Sequence, residues 1–257
     1  MSLRPSWLLL CSALFAYAAN AAPTVTVEGD AAAPGQFPVA AMTRLHDVLL
    51  PAQVSPNAYL LGAAWLHRPL LQEQTRLKLG VLFDLATLER NALLDNRPAL
   101  AELARSLTAK VQAMPVTGRR VAELDPVKVE LNHKYNLELS AGDRLIYPAR
   151  PEYVRIEGAV LAECQLPFVP MQTARDYLEA CPRHAEADLD ELFVAQPDGR
   201  VQRQGIALWN RTDAPPSPAP GARIYVPVRG AGLGDPTPDL NAELATFIGT
   251  QPLEVAP

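Results

Sequence analysis

Apolar and polar residues alternate through Val25 and Val27 and again through Val154 and Ile156, and each run closes on a glycine, Gly29 or Gly158. A period of two marks a half-buried strand. From Pro69 to Asn96 the period lengthens, and Leu70, Leu77, Val81, Leu85 and Leu88 recur at helical spacing. Asn96 and Pro98 break that pattern. Pro98 suits the first turn of a second helix, which carries Leu100, Leu103, Leu107 and Val111 on one side and ends before Pro115. The spacing predicts an α-hairpin over about residues 69–114, serving either as a docking surface or as a lid over the sheet of the domain that contains it. Downstream the pattern predicts a strand at Val154–Leu161, a helix at Thr173–Glu179 and a strand at Asp190–Ala195. The turn Pro197-Asp198-Gly199 leads into strands Val201–Gln204 and Ile206–Trp209. The Pro-rich loop Pro215–Pro220 then precedes a final strand, Arg223–Val228. One short helix against a small mixed sheet is the α+β pattern of a β-grasp domain. After a Gly- and Pro-rich linker, Arg229–Pro238, the segment Asp239–Ile248 places Leu240, Leu244, Phe247 and Ile248 on one face of a short amphipathic helix.

The pattern occurs twice. Val25-Thr26-Val27-Glu28-Gly29 returns as Val154-Arg155-Ile156-Glu157-Gly158, and at the same spacing Asp47 matches Asp176 and Leu49 matches Leu178. The copies also end alike, in Gly142-Asp143-Arg144-Leu145-Ile146-Tyr147-Pro148 and Gly221-Ala222-Arg223-Ile224-Tyr225-Val226-Pro227. The second match is closer in register than the first by about 50 residues, which the α-hairpin supplies. The expected organisation is therefore a first domain at 22–150 interrupted by the hairpin, a second at 151–229, and a linker with the C-terminal helix at 230–257.

The N-terminus changes where this fold is expected to work. Arg4, an apolar run from Trp7 to about Ala19, and the small-residue triplet Ala19-Asn20-Ala21 have the order of a secretory signal peptide cleaved after Ala21. The run of about 13 residues is shorter than the roughly 20 a spanning helix needs. Cys11 lies inside that run and not at its end, which argues against lipidation. The chain carries 23 basic and 28 acidic residues, a net charge of −5, and loss of Arg4 makes it one unit more negative. That balance disfavours nucleic acid or an anionic membrane surface as the main partner. Outside the leader only Cys164 and Cys181 are cysteines. In an oxidising compartment they read as a disulfide, with two free buried thiols as the other reading.

Several segments resemble a known family. Tyr59-Leu60-Leu61-Gly62-Ala63-Ala64-Trp65, Pro115-Val116-Thr117-Gly118-Arg119 and Gln196-Pro197-Asp198-Gly199 do so, as do Ala207-Leu208-Trp209-Asn210 and Pro220-Gly221-Ala222-Arg223-Ile224-Tyr225-Val226-Pro227. Together they resemble the GfcC-like capsule-biosynthesis family over nearly all of the chain beyond the leader. The second half also resembles a soluble-ligand-binding β-grasp domain, as found in polysaccharide exporters of the Wza type. The resemblance implies two β-grasp-like domains, a helical hairpin inserted in the first and a C-terminal amphipathic helix. It also implies a periplasmic place in capsule or exopolysaccharide assembly; with no catalytic motif in the sequence, a non-enzymatic accessory role is expected, with polysaccharide or export-machinery proteins as partners. No counterpart of the exporters' N-terminal polysaccharide-export domain is evident, so the chain is not expected to be the pore.

Candidate chemistry is sparse. His46, His67, His133 and His184 fall in no zinc spacing, there is no nucleophile elbow, and the cysteines lack a C-x-x-C arrangement. Neither a metal nor a cofactor is expected. The glycines of the linker, Gly230, Gly232 and Gly234, do not form a dinucleotide-binding motif. Asp188, Asp190 and Glu191 read as solvated residues at a strand start, and a hidden polysaccharide-modifying activity is the alternative function. Arg119 matches the family's P-V-T-G-R motif and is the foremost candidate contact. A guanidinium grips a carboxylate or phosphate with two parallel hydrogen bonds, suiting an acidic sugar or a partner's acidic side chain; otherwise it pairs locally and fixes its loop. Tyr59, Trp65, Trp209 and Tyr225 are candidates to stack on sugar rings, although such residues also serve as packing. The C-terminal helix is too short to cross a bilayer. Counted from Thr237 to Ile248 it rises about 18 Å against a hydrocarbon core of about 30 Å, so it is expected to dock on its own domains or on a partner.

Overall fold

The computed structural model describes residues 22–230 and 235–254. The signal-peptide expectation and most of the linker glycines lie outside the described residues. The first half runs β1 (Thr24–Gly29), β2 (Gly35–Pro38), α1 (Leu45–Ala52), β3 (Ala64–Leu66), α2 (Leu71–Leu94), α3 (Pro98–Ala113), β4 (Arg119–Arg120), α4 (Pro126–Leu131) and β5 (Arg144–Tyr147). The second runs β6 (Tyr153–Gly158), β7 (Cys164–Pro167), α5 (Ala174–Glu179), β8 (Glu191–Ala195), β9 (Val201–Gly205), β10 (Arg223–Val226) and α6 (Leu240–Gly249). Each half builds a five-stranded mixed sheet, in the order β2-β1-β5-β3-β4 and β7-β6-β10-β8-β9. The pairs β1–β5 and β6–β10 are parallel and central. This is an α+β fold of two β-grasp-like units.

The repeat is reproduced down to single interactions. Asp47 and Asp176 each sit at the third position of a short helix and accept the N–H of the capping residue, Arg44 or Thr173, at 2.8 and 3.1 Å, which satisfies a donor that the helix start leaves free. Leu49 and Leu178 are buried in the two cores. Gly29 and Gly158 both adopt positive φ, +93° and +99°, and a Cβ would lie 2.0 Å from the Tyr147 carbonyl oxygen in one and 2.3 Å from that of Val226 in the other. Only glycine fits a strand end pressed this closely on its neighbour. The isolated bridge Ala31–Val54 recurs as Val160–Arg183. At the positions of Gly35 and Ala52 the second unit has Cys164 and Cys181, joined in a disulfide with Cα atoms 6.0 Å apart.

The hairpin is where the units differ. It joins β3 to β4, whereas the equivalent strands β8 and β9 are joined by a tight turn closed by Gln196 N–H to the Arg200 carbonyl, 2.8 Å. Pro98 opens α3 as its first residue. The lid expectation is corrected in one respect, because α2 and α3 do not cover the sheet of their own unit. Val81, Leu85, Leu100, Leu103, Leu107 and Val111 share one core with Ile156, Tyr225, Leu244 and Phe247 of the second unit and α6. Lys110 bridges Glu157 and Glu163, and Arg97 pairs with Glu186, so both ends of α3 are tied to the second unit by charge. The first sheet offers only the small apolar set Ala64, Leu66 and Ile146 on its free face. The second sheet offers Phe193 and Tyr225 together with α6, and the larger apolar face takes the hairpin.

α6 lies between the hairpin and the second sheet. Leu240, Leu244, Phe247 and Ile248 are all buried. Asn241 accepts from the Tyr225 hydroxyl at 2.9 Å and from Val228 N–H at 3.0 Å, and donates to the Val228 carbonyl at 2.8 Å. Among the described residues no helix is long and apolar enough to cross a membrane.

A second correction concerns Ile206–Trp209, which forms a bend and turn rather than a strand. The side chain of Asn210 accepts from Ala207 N–H at 3.1 Å and donates to the Asp190 carbonyl at 2.9 Å, folding the segment back on itself. Such local side-chain bonding competes with a ladder.

Candidate functional site

The P-V-T-G-R segment brings the chain from α3 back to the first sheet. Gln74 of α2, itself buried, accepts from Gly118 N–H at 2.8 Å and donates to the Arg119 carbonyl at 2.8 Å. That fixes the backbone and turns Arg119 inward, leaving its side chain 5% exposed. Nη1 donates to the carbonyls of Gly249 and Gln251, at 3.3 and 3.2 Å, and Nη2 to those of Ala63 (3.4 Å) and Pro197. Thr117 adds a bond from its hydroxyl to the Thr250 carbonyl, 2.7 Å. The carbonyls of the last helical turn have no partner within a helix, and the helix dipole leaves that end negative. Arg119 and Thr117 therefore cap α6. Through Ala63 and Pro197 the same guanidinium ties the end of α6 to the first sheet and to the β8–β9 turn. Burial pulls the Arg119 pKa down to about 10, opposed by the charge of Asp198; the group stays cationic at neutral pH.

This placement corrects the reading of Arg119 as a ligand contact, because its Nη donors are committed to internal carbonyls. Trp65 is corrected likewise. It is fully buried, its Nε1 donates to Asp143 Oδ2 at 2.8 Å, and the Arg120 guanidinium lies 4.7 Å from its ring centre, so no face is left for a sugar. Tyr225 is buried as well. Tyr59 is half-buried, with its hydroxyl donating to the Pro220 carbonyl at 2.9 Å, and burial raises its pKa to about 12. Trp209 stands apart on the bend after β9, 77% exposed.

A cleft of about 890 Å³ lies between the two sheets. Its walls come from the free face of the first sheet, through Leu66, Arg144 and Ile146, and from Tyr153, Arg155 and Arg223 of the second. The C-terminal segment Gln251–Glu254 forms part of its lining, held there by the Arg119 and Thr117 bonds. Two ion pairs in equivalent positions flank it. Arg144 donates to Glu28 at 2.9 and 2.7 Å, and Arg223 donates to Glu157 at 2.6 and 2.9 Å. Arg68 also lines the cleft. The backbone at its base is fixed by Asp143, a fully buried carboxylate that accepts from Arg68 N–H at 3.1 Å, Ser140 N–H at 2.9 Å and Trp65 Nε1, with His67 Nδ1 at 2.9 Å.

Arg68, Arg155 and Asp143 escaped the sequence reading as site residues. A signal existed for part of the cleft: the matched motifs Gly142-Asp143-Arg144 and Gly221-Ala222-Arg223 place Arg144 and Arg223 at equivalent strand starts. Arg68 carries no such mark.

Comparison with known proteins agrees with this architecture. The family model described as "Capsule biosynthesis GfcC, N-terminal" matches residues 19–150, and "Capsule biosynthesis GfcC C-terminal" matches residues 162–252. The curated protein "Uncharacterized protein YjbG" of Escherichia coli (strain K12) is 33% identical over 144 residues, a match spanning 54% of this chain and 56% of that protein. With both halves matched and the paired β-grasp-like units in place, the chain belongs to the GfcC capsule-biosynthesis family.

Proposed function

We propose that the protein is a periplasmic, non-enzymatic accessory factor in capsule or exopolysaccharide assembly or export, with units at 22–150 and 151–229 holding a binding cleft between them. The observation that supports this reading is the cleft itself, walled by side chains of both sheets and supported by the Arg119 junction. Binding sites are concave and built on rigid elements, and here strands β1, β3, β5, β6 and β10 supply much of the lining, beside the start of α2 and the end of α6. The closest His–carboxylate contact, His67 with Asp143, fits the binding reading. Asp143 is already shared among backbone and indole donors and fixes a strand end, rather than orienting a base beside a nucleophile. Removing the gene from a polysaccharide-producing cell should abolish surface display, and restoring it should return display with the protein in the periplasmic fraction. Incubation of the purified protein with the cognate polysaccharide should leave chain length unchanged; shortening would favour a polysaccharide-modifying enzyme instead.

A further inference from the structure

We infer that the cleft between the sheets binds an acidic polysaccharide, and that Arg68 and Arg155 are the residues that take its anionic groups. The inference rests on the binding role proposed above and adds the ligand class and the contacts.

The protein is acidic overall, with a net charge of −5, yet the cleft gathers Arg68, Arg144, Arg155 and Arg223 against the carboxylates of Glu28 and Glu254. Arg144 and Arg223 are neutralised by their own glutamates. The other two are not. Among the described residues Arg68 has no side-chain partner, and its side chain crosses Gly142, where a Cβ would lie 2.4 Å from Arg68 Cδ. Arg155 reaches only the neutral Gln165, Nε to Oε1 at 3.4 Å, and stands 5.2 Å from the Tyr153 ring centre. Two exposed guanidiniums kept free of carboxylates in a walled cleft focus a positive field on its contents, and each retains its paired donors for a carboxylate, sulfate or phosphate group.

The walls do not suit an acidic peptide that binds by adding a strand. An extended peptide is held by adding a strand to a free sheet edge, and the edges here are β2, β4, β7 and β9. The cleft is walled instead by side chains of interior strands: Arg144 and Ile146 of β5, Tyr153 and Arg155 of β6, and Arg223 of β10. Their backbone groups are already paired within the sheets. Recognition there has to work through side chains. The half-buried Tyr153 ring beside Arg155 supplies a stacking face next to a charge, whereas Leu66 and Ile146, 8% and 4% exposed, add only a thin apolar lining.

The test is calorimetric titration of the full protein with two acidic probes, tetragalacturonate and a hyaluronan tetrasaccharide, with maltotetraose as the neutral control and tetraglutamate as the peptide arm. Saturable binding of at least one acidic tetrasaccharide and none of maltotetraose is expected. Binding should weaken about tenfold in Arg68→Ala and in Arg155→Ala, recover in part in the lysine variants, and be unchanged in Arg76→Ala on the outer face of α2. Absence of binding to both acidic tetrasaccharides, equal binding of maltotetraose, tighter binding of tetraglutamate, or an equal loss in Arg76→Ala would overturn the inference. The two readings separate in cells. If neither acidic probe binds but deletion still abolishes surface polysaccharide, the ligand assignment falls and the accessory role stands. If the probes bind as expected but deletion leaves surface polysaccharide unchanged, the accessory role falls alone.

Discussion

Arg119 and Gly249 are 130 residues apart in the chain, and the guanidinium of one caps the helix that ends at the carbonyl of the other, Nη1 to O at 3.3 Å. Substitution should therefore loosen α6 and the junction of the two sheets together. Hydrogen bonds from a charged donor contribute about 1.5–3 kcal/mol, and buried carbonyls left without partners add to the loss. Arg119→Ala should cost about 3 kcal/mol, a fall of roughly 6–12 °C in unfolding temperature for a chain of this size. Arg119→Lys should recover only part, since an ammonium cannot span carbonyls on three different segments. Differential scanning calorimetry with limited proteolysis of the C-terminal segment checks this. An unchanged midpoint in Arg119→Ala contradicts the capping role.

The apolar face of α6 gives a second expectation. Phe247 is fully buried between the hairpin and the second sheet, whereas Phe83 on the outer face of α2 is 71% exposed. Phe247→Ala should destabilise by about 3–5 kcal/mol and Phe83→Ala by no more than about 0.5 kcal/mol. Urea denaturation of both variants measures the contrast. Equal effects would mean that α6 is not docked on its own chain.

Much of this architecture was legible in the sequence because the repeat is carried by residues with specific backbone duties. Gly29 and Gly158 mark strand ends that admit no side chain, and Asp47 and Asp176 mark helix starts. The helical spacing of Leu100, Leu103 and Leu107 likewise announced a buried face. It did not say against what, since periodicity reports that a face is apolar and not which partner covers it; the hairpin crosses to the second unit. Ile206–Trp209 misled because alternation alone does not reveal that Asn210 folds the segment back. Arg119 was conspicuous, but its burial depends on Gln74 and the end of α6, both remote in sequence. Arg68 opens a single turn of 3-10 helix, Arg68–Leu70, too short to show a periodicity, so nothing local distinguished it.

The charge tie between hairpin and second sheet predicts a pH dependence. Burial of Glu157 pushes its pKa up, but the charges and hydrogen bonds of Arg223 and Lys110 outweigh this and hold it below the usual glutamate value. A depressed carboxylate pKa adds stability above the unfolded-state value of about 4.3, and that stability is lost as pH falls through the folded-state value. The wild-type protein should lose stability as pH falls below the unfolded-state value of about 4.3, and hydrogen exchange should show α3 opening first. Glu157→Gln should lower stability at pH 7 by about 3 kcal/mol, since it leaves the part-buried Arg223 without its carboxylate and Lys110 with Glu163 alone, and should flatten the acid dependence. A Glu157→Gln protein with the wild-type pH profile would contradict this account.

The disulfide closes a segment of the second unit with a sequence separation of 17. Loop closure of this size is worth about 3 kcal/mol in the chain-entropy model. Cys164→Ser/Cys181→Ser should unfold several degrees below the wild type, and alkylation of the denatured, unreduced protein should find neither of these two thiols free. Free thiols at these positions would refute the pairing.

The most direct test of the central claim, that the protein serves polysaccharide assembly through its inter-sheet cleft, is surface polysaccharide measured in cells whose only copy carries Arg68→Ala and Arg155→Ala. Both side chains are exposed, so the variant should fold, accumulate and reach the periplasm like the wild type. The account predicts surface polysaccharide reduced to near the level of the gene deletion, with Arg76→Ala giving full display. Wild-type display in the double variant, in a strain where the deletion abolishes it, would show that the cleft is not where the protein works.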